Sequence, residues 1–287
     1  MMITRALIKR HLTLYLRDRW AIFFSFLSVI IILGLFILFL KNTFGSDFNA
    51  YQDAAYVSHA WILAGVLVVS TVTVPLGFLA IMVQDLELKT INDFYVAPIS
   101  RTQIVLSYFF SALVIGSVFG LFNLAIGITY LLIQFGYFIG LFNLMILTSL
   151  TILSASLFSS LFFLVITYIK TLNAHGTLSI LLGTLIGFLT GLYVPIGALS
   201  NTLRTVLSIM PFMQMATLFR KAYMADAFER VFVNAEGMKA SVIDLLGVNL
   251  KIFSIEISTA YTLLIILGWM GIFLGLSILR LKTFKRK

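Results

Sequence analysis

The run TQIVLSYFFSALVIGSVFGLFNLAIGITYLLIQFGYFIGLFNLMILTSLTILSASLFSSLFFLVITYI occupies residues 102–169, and none of its 68 positions is Asp, Glu, Lys or Arg. A helix crosses a bilayer in about 20 apolar residues, so a run three times that length must turn and come back. The turn falls at IQFGYFIG, residues 133–140, where two glycines flank a tyrosine suited to the membrane interface. A charged loop bounds the run at each end, with Arg101 before it and Lys170 after it.

Composition carries the same message outward. The chain is 61% hydrophobic and 11% charged with a mean hydropathy of +1.07, too little polar surface to clothe a soluble globule. The apolar runs are continuous and too long for the alternating strands of a transmembrane barrel. Backbone groups in lipid must then be satisfied within helices. We expect an all-α polytopic membrane protein with six spans, near 20–40, 57–83, 103–133, 140–169, 177–199 and 258–280. The first apolar run is long enough to span and lacks a small-residue cleavage site, so it reads as a retained helix.

The net charge of +9 sits mainly at the ends. Arg5, Lys9, Arg10, Arg17 and Arg19 precede Trp20, and Arg280, Lys282, Lys285, Arg286 and Lys287 close the chain. Both ends are therefore expected in the cytoplasm, and this distribution argues against a nucleic-acid partner. The whole chain, 1–287, reads as one transmembrane domain. Residues 1–19 form an interfacial helix with Ile3, Leu7 and Leu14 on one face, for which anionic-lipid anchoring and a protein partner are equally good explanations. Residues 84–102 form a cytoplasmic loop and 170–176 a second one. Residues 200–257 form an extracytoplasmic segment of re-entrant or interfacial helices, with Asn201 capping one and Pro211 opening the next.

Several chemistries have no residues to carry them. There is no cysteine, hence no disulfide or thiolate metal site. There is no Gly-x-x-x-x-Gly-Lys-Ser/Thr loop to cradle ATP phosphates. The predicted spans hold no ionisable residue except His59 and His175 near their ends, the first interfacial and the second in a loop, which disfavours an ion-coupled carrier. The fourth span is rich in Ser and Thr without a base beside them, a pattern of close helix packing more than of catalysis. Asn123 and Asn143 are candidates to line a substrate path or to bond between helices.

One cytoplasmic stretch stands apart: TINDFYVAPISRTQ, residues 90–103. Thr90 and Asp93 have capping-box spacing, Pro98 forbids a long helix, and Ser100 with Gln103 repeats the box. The residues specify a stub helix, a break and a fresh helix entering the third span. Taken alone, Phe94 and Tyr95 with their charged neighbours fit an interfacial loop or a docking element equally well.

The order of these residues resembles the ABC type-2 permeases, the membrane subunits of ATP-binding-cassette exporters. Asp85-Leu86-Glu87-Leu88-Lys89-Thr90, then Ala97-Pro98-Ile99-Ser100-Arg101, is similar to that family's acidic-x-acidic-x-Gly-Thr followed by a short helix and Pro-x-Ser-Arg. Gly191-Leu192-Tyr193-Val194-Pro195-Ile196, with Leu203, Pro211 and Arg220 beyond it, is similar to its Gly-x-aromatic-x-Pro element. Lys89 stands where the family often has Gly, and Ser200-Asn201 where Leu-Pro is common.

The resemblance implies that 84–102 holds a coupling helix for an ATPase subunit. Asp85, Glu87, Thr90, Asp93, Phe94, Tyr95, Pro98 and Arg101 would face or brace that contact, with Asn173 and His175 adding a smaller one. The N-terminal segment would be the connecting helix beside it. Two ATPase copies, carrying ATP and Mg²⁺ that this chain does not bind, would drive a homodimer or heterodimer of permeases in a bacterial plasma membrane. An amphiphilic cargo would leave the cell between the second and fifth spans of the two protomers, with Asn123, Asn143, Tyr193 and Pro195 as candidates to line its path. The alternative is an ion-coupled carrier or channel that needs no ATPase.

Overall fold

The computed structural model describes residues 2–20, 22–23, 30–31, 34, 54–95, 99–232, 236–253 and 255–283. The expected first span at 20–40 lies almost wholly outside them. Helix α1 covers Met2–Arg17. A long broken helix follows as α2, Ala54–Phe78, and α3, Ala80–Glu87, with the short α4, Ile91–Tyr95, after it. Three more long helices are α5, Arg101–Phe135, α6, Leu141–Ile166, and α7, Leu172–Leu189. Then come α8, Asn201–Ile209, α9, Pro211–Val231, and α10, Glu236–Leu246. A two-stranded antiparallel hairpin, Leu250–Ile252 with Ile255–Ile257, leads into α11, Thr259–Thr283. Among the described residues five helical stretches are long and apolar enough to cross a membrane: 55–87, 102–135, 141–166, 172–189 and 259–280.

Helix α2 is the axis of the bundle, packed against α5, α6 and α9. Lipid is as apolar as leucine, so helices in it associate through close fit more than through the hydrophobic effect. The fit here rests on small residues of α5. A methyl added at Gly116 would meet the Pro75 ring of α2, and one at Gly120 would meet the methyls of Thr151 and Thr71. Thr71 and Ser154 then share a hydrogen bond of 2.7 Å across α2 and α6. Thr151 and Ser154 are buried in this packing, as are Ser159 and Ser160 further along α6, while exposed Ser149 and half-buried Ser156 bond back to carbonyls four residues earlier.

Local signals set the boundaries. The Ser100–Gln103 capping box is formed in both directions at the start of α5, and Gly136 ends that helix in the left-handed region at φ 71°. The expected fifth span, 177–199, is corrected at both ends: α7 begins at Leu172 and stops at Leu189. Its stop is a Schellman turn. Gly191 takes φ 63°, its N–H donates to Phe188 O at 3.0 Å, and the Leu192 N–H donates to Gly187 O at 2.7 Å. The apolar residues beyond, Leu192 and Ile196, are buried because the chain folds back, not because the helix continues.

The segment 200–257 also differs from its expected form. Ser200, not Asn201, is the N-cap of α8, and Pro211 occupies the first turn of α9 as expected. Of the re-entrant and interfacial forms expected, helix α9 fits the first in packing into the bundle against α2 and α6, and Phe212 at its start stacks on Phe158 of α6 at 5.1 Å. Phe158 lies about 25 Å along α6 from its first residue at 1.5 Å per residue. At the other end of α9, Asp226 accepts from the Gly140 N–H and from Asn143 Nδ2, both at 2.9 Å, and caps the start of α6. The α8–α9 pair therefore dips into the bundle from the end where α6 begins. That end is called the far end below, and the end bearing α1, α3 and α4 the near end.

Candidate coupling site

The near end is assembled around Asp85 of α3. Its side chain is 8% exposed, and the carboxylate accepts twice from the Arg10 guanidinium, Nη1 to Oδ2 at 2.9 Å and Nη2 to Oδ1 at 3.1 Å. The Tyr108 hydroxyl of α5 donates to Oδ2 at 2.6 Å. Planar, two-pronged pairing of this kind is what a guanidinium offers and an ammonium does not. The hydrogen bonds to Asp85 raise the Arg10 pKa, against the opposing effect of burial. The same guanidinium lies 5.1 Å from the Phe94 ring centroid, so one side chain of α1 touches both α3 and α4.

His11, the next residue of α1, is fully buried and stacks on Tyr108 with 4.0 Å between centroids and 17° between planes. Ser111 gives its one proton to Ser107 O at 2.6 Å, which leaves His11 Nδ1, 3.4 Å from Ser111 Oγ, as the donor of that pair. Burial, aided by the Arg10 charge, pushes the His11 pKa down to about 4. The ring is therefore neutral near pH 7. Leu7, His11 and Tyr15 form the buried face of α1. The expected face is corrected accordingly: Leu14 is 42% exposed, and the Ile3 side chain lies outside the described residues. Helical spacing had two apolar stripes to choose from, and a buried histidine marks the one that packs.

The two near-end loops are joined. Glu87 Oε2 accepts from the Leu172 N–H at 2.7 Å, at the first turn of α7, where Thr171 also caps the Ala174 N–H. His175 is not a loop residue. It lies in the first turns of α7, is 5% exposed, and its Nε2 is 3.0 Å from Leu76 O, close to the break between α2 and α3.

The expected contact residues thus divide. Glu87, Asp93 and Asn173 are exposed, and Thr90 and Phe94 are half-buried. Asp85 and His175 are buried, so they brace the site from inside and present nothing to a partner. The side chains of Tyr95 and Arg101, and Pro98 altogether, lie outside the described residues. Leu88, 66% exposed beside Glu87, adds an apolar surface that sequence reasoning missed. Arg10, His11 and Tyr108 were missed as well, because their partner, Asp85, is 75 positions from Arg10 and 23 from Tyr108.

The local geometry also explains the Lys89 departure. Lys89 ends α3 in the left-handed region at φ 60°, its N–H donating to Leu86 O at 3.3 Å. This is the position after a helix C-cap, where glycine is favoured because it has no Cβ to clash. Lys89 thus holds a backbone conformation that glycine takes more readily, and does so with strain.

The four residues expected along a substrate path do not converge. Asn123 is buried on α5, and its Oδ1 has no partner among the described residues. Asn143 belongs to the Asp226 cap at the far end. Tyr193 packs on Phe188 at 5.3 Å, and Pro195 precedes the short 3₁₀ turn Ile196–Ala198.

A bundle of long apolar helices, joined at one end by short charged loops and a docked amphipathic helix, defines a multi-pass membrane protein. The family model of ABC-2 type transporters matches residues 3–224, and the chain belongs to that family. It is a permease component, not itself catalytic. No curated protein matches it.

Proposed function

We propose that this permease is the membrane half of an exporter driven by a separate ATPase subunit seated on α4 and its flanks. The reading is supported chiefly by one observation: a short helix that exposes Asp93 is fastened through Phe94, Arg10 and Asp85 to the ends of two long helices. A push on α4 would be transmitted to α5 through Tyr108, and to α2 and α7 through α3, Glu87 and His175. In this reading the near end is cytoplasmic, and 20–40 supplies a sixth span. The subunit works as a dimer with two ATPase copies in a bacterial plasma membrane. The apolar walls of α2 and α7 suit an amphiphilic cargo such as a drug, a lipid-like product or a hydrophobic peptide.

Co-purification with the ATP-binding-cassette ATPase encoded nearest to it tests the assignment. We expect the complex to survive purification, and Asp93→Ala with Phe94→Ala to weaken it at least ten-fold. Cargo movement by the isolated chain in ATP-free liposomes would overturn the reading in favour of a carrier.

A further inference from the structure

Arg220 closes the second sequence motif, no member of which enters the coupling site, and its surroundings are unusual for a cation. The side chain is fully buried on the re-entrant helix α9. Its Nη2 donates to Thr190 O at 2.7 Å and to Gly191 O at 2.9 Å, the carbonyls of the C-cap of α7 and of the residue after it. The guanidinium carbon lies 5.3 Å from the Trp61 ring of α2, and Nη1 is 3.7 Å from the Met213 sulfur. Nε is buried without a partner, and no carboxylate among the described residues pairs with the group.

The surrounding turns are shaped to it. Gly191 and Gly247 both take positive φ beside it: an added methyl would meet Met213 at the first and Ile196 at the second, and would touch a guanidinium nitrogen at 3.4 and 3.3 Å. Trp61 in turn donates from Nε1 to Leu246 O at 3.1 Å, and Thr217 donates to Gly247 O at 3.4 Å. One side chain thus meets α2, α7 and the loop after α10 at the same point.

A buried cation is costly at membrane depth, and a well-packed apolar side chain would hold three helices together at lower cost. A guanidinium offers directional bonds that form and break as a unit. The negative end of the α7 dipole and the indole face satisfy its charge without a counter-ion that would lock it. Helices α2 and α7 are then fastened at both ends, by His175 on Leu76 O at the near end and by Arg220 at the far end.

We propose that Arg220 is a releasable clasp that holds the far ends of α2 and α7 together and closes the exit between them. This rests on the exporter reading, in which those two helices line the path. Arg220 acts as a positioning residue, and opening breaks its bonds to Thr190 and Gly191 while the ion pair at the near end stays formed.

The chain has no cysteine, so a single introduced one is an unambiguous reporter. Leu192 is fully buried and lies against Gly65 of α2, beneath the clasp. In the full permease–ATPase complex in proteoliposomes, Leu192→Cys should resist a membrane-impermeant maleimide without nucleotide and react at least ten-fold faster during ATP turnover. Adding Arg220→Lys, which keeps the charge and loses the double contact, should give the fast rate without ATP, with ATP hydrolysis retained and net transport reduced at least five-fold. Trp61→Phe, a milder change should Arg220→Lys fold poorly, should raise the ATP-free rate about three-fold. Protection of Leu192→Cys that ATP does not change, or equal ATP-free labelling with and without the Arg220→Lys substitution, would overturn the clasp. Loss of the ATPase from the complex would instead count against the exporter reading, because the ATP-free labelling comparison needs no ATPase.

Discussion

At the near end Arg10 faces a carboxylate, an aromatic ring and, on one side, solvent; at the far end Arg220, fully buried, faces carbonyl oxygens, a thioether and an indole. The first arrangement suits a joint that must stay formed while force passes through it, because separating the pair strands a carboxylate that is 8% exposed. The second suits a joint that opens, because release leaves only neutral acceptors behind. Each arginine also sits close to a helix end closed by a left-handed residue, Lys89 at the near end and Gly191 at the far end.

The largest effect should come from breaking the near-end pair from its exposed side. Arg10→Ala is expected to destabilise the docking of α1 by about 3–5 kcal/mol, because Asp85 is left charged and buried. Asp85→Ala leaves Arg10 free to turn toward water and should cost within about 2 kcal/mol. Hydrogen exchange of the α1 amides measures both, and equal costs would show that the pair is not asymmetric. The double variant Arg10→Met with Asp85→Leu should recover most of the loss.

Acid should loosen the near end through His11. Its pKa of about 4 lies below the ordinary value of 6.5, so the unfolded chain binds the extra proton between those limits. Docking of α1 is therefore complete above about pH 6.5 and weakens as pH falls toward 4, by on the order of 3 kcal/mol in total. The proton would arrive on a buried ring beside Arg10, which opposes it, and near Asp85 and the Ser107 carbonyl, which favour it without offsetting burial. Following α1 protection against pH tests this, and His11→Phe should flatten the profile.

The two left-handed positions should respond in opposite directions. Gly191→Ala places a Cβ at φ 63° against Met213 and should cost roughly 1–2 kcal/mol in thermal unfolding. Lys89→Gly relieves the strain at φ 60° and should stabilise the near end by about 1 kcal/mol. A destabilising Lys89→Gly would show that the lysine side chain has a role that outweighs its backbone strain.

Much of this arrangement was legible before the structure. The long charge-free run required a helical hairpin, and α5 and α6 turn within 133–140 as expected. The Ser100–Gln103 box follows from side chains acting on their nearest amides, and a stub helix stands at Ile91–Tyr95, ahead of Pro98, as expected. The end of α7 was also written in the chain as Thr190-Gly191 with Pro195 beyond, a stop signal hidden by the apolar residues that continue past it. The short hairpin at Leu250–Ile257 had no comparable signal, since two three-residue strands are too brief for alternation to show.

The sequence by itself determined that this chain lives in a membrane as helices, and where most of them start and stop, because lipid demands satisfied backbones and caps act within one turn. It also carried the family pattern around Glu87, Thr90 and Pro98. Only the tertiary structure decided which face of α1 packs, that Asp85 and His175 point inward, that Lys89 occupies a glycine's conformation, and that Arg220 enters the bundle on a re-entrant helix. Apart from the Lys89 turn, which is local, each of those depends on a partner tens of residues away, and a charge acquires its role from what the fold places beside it.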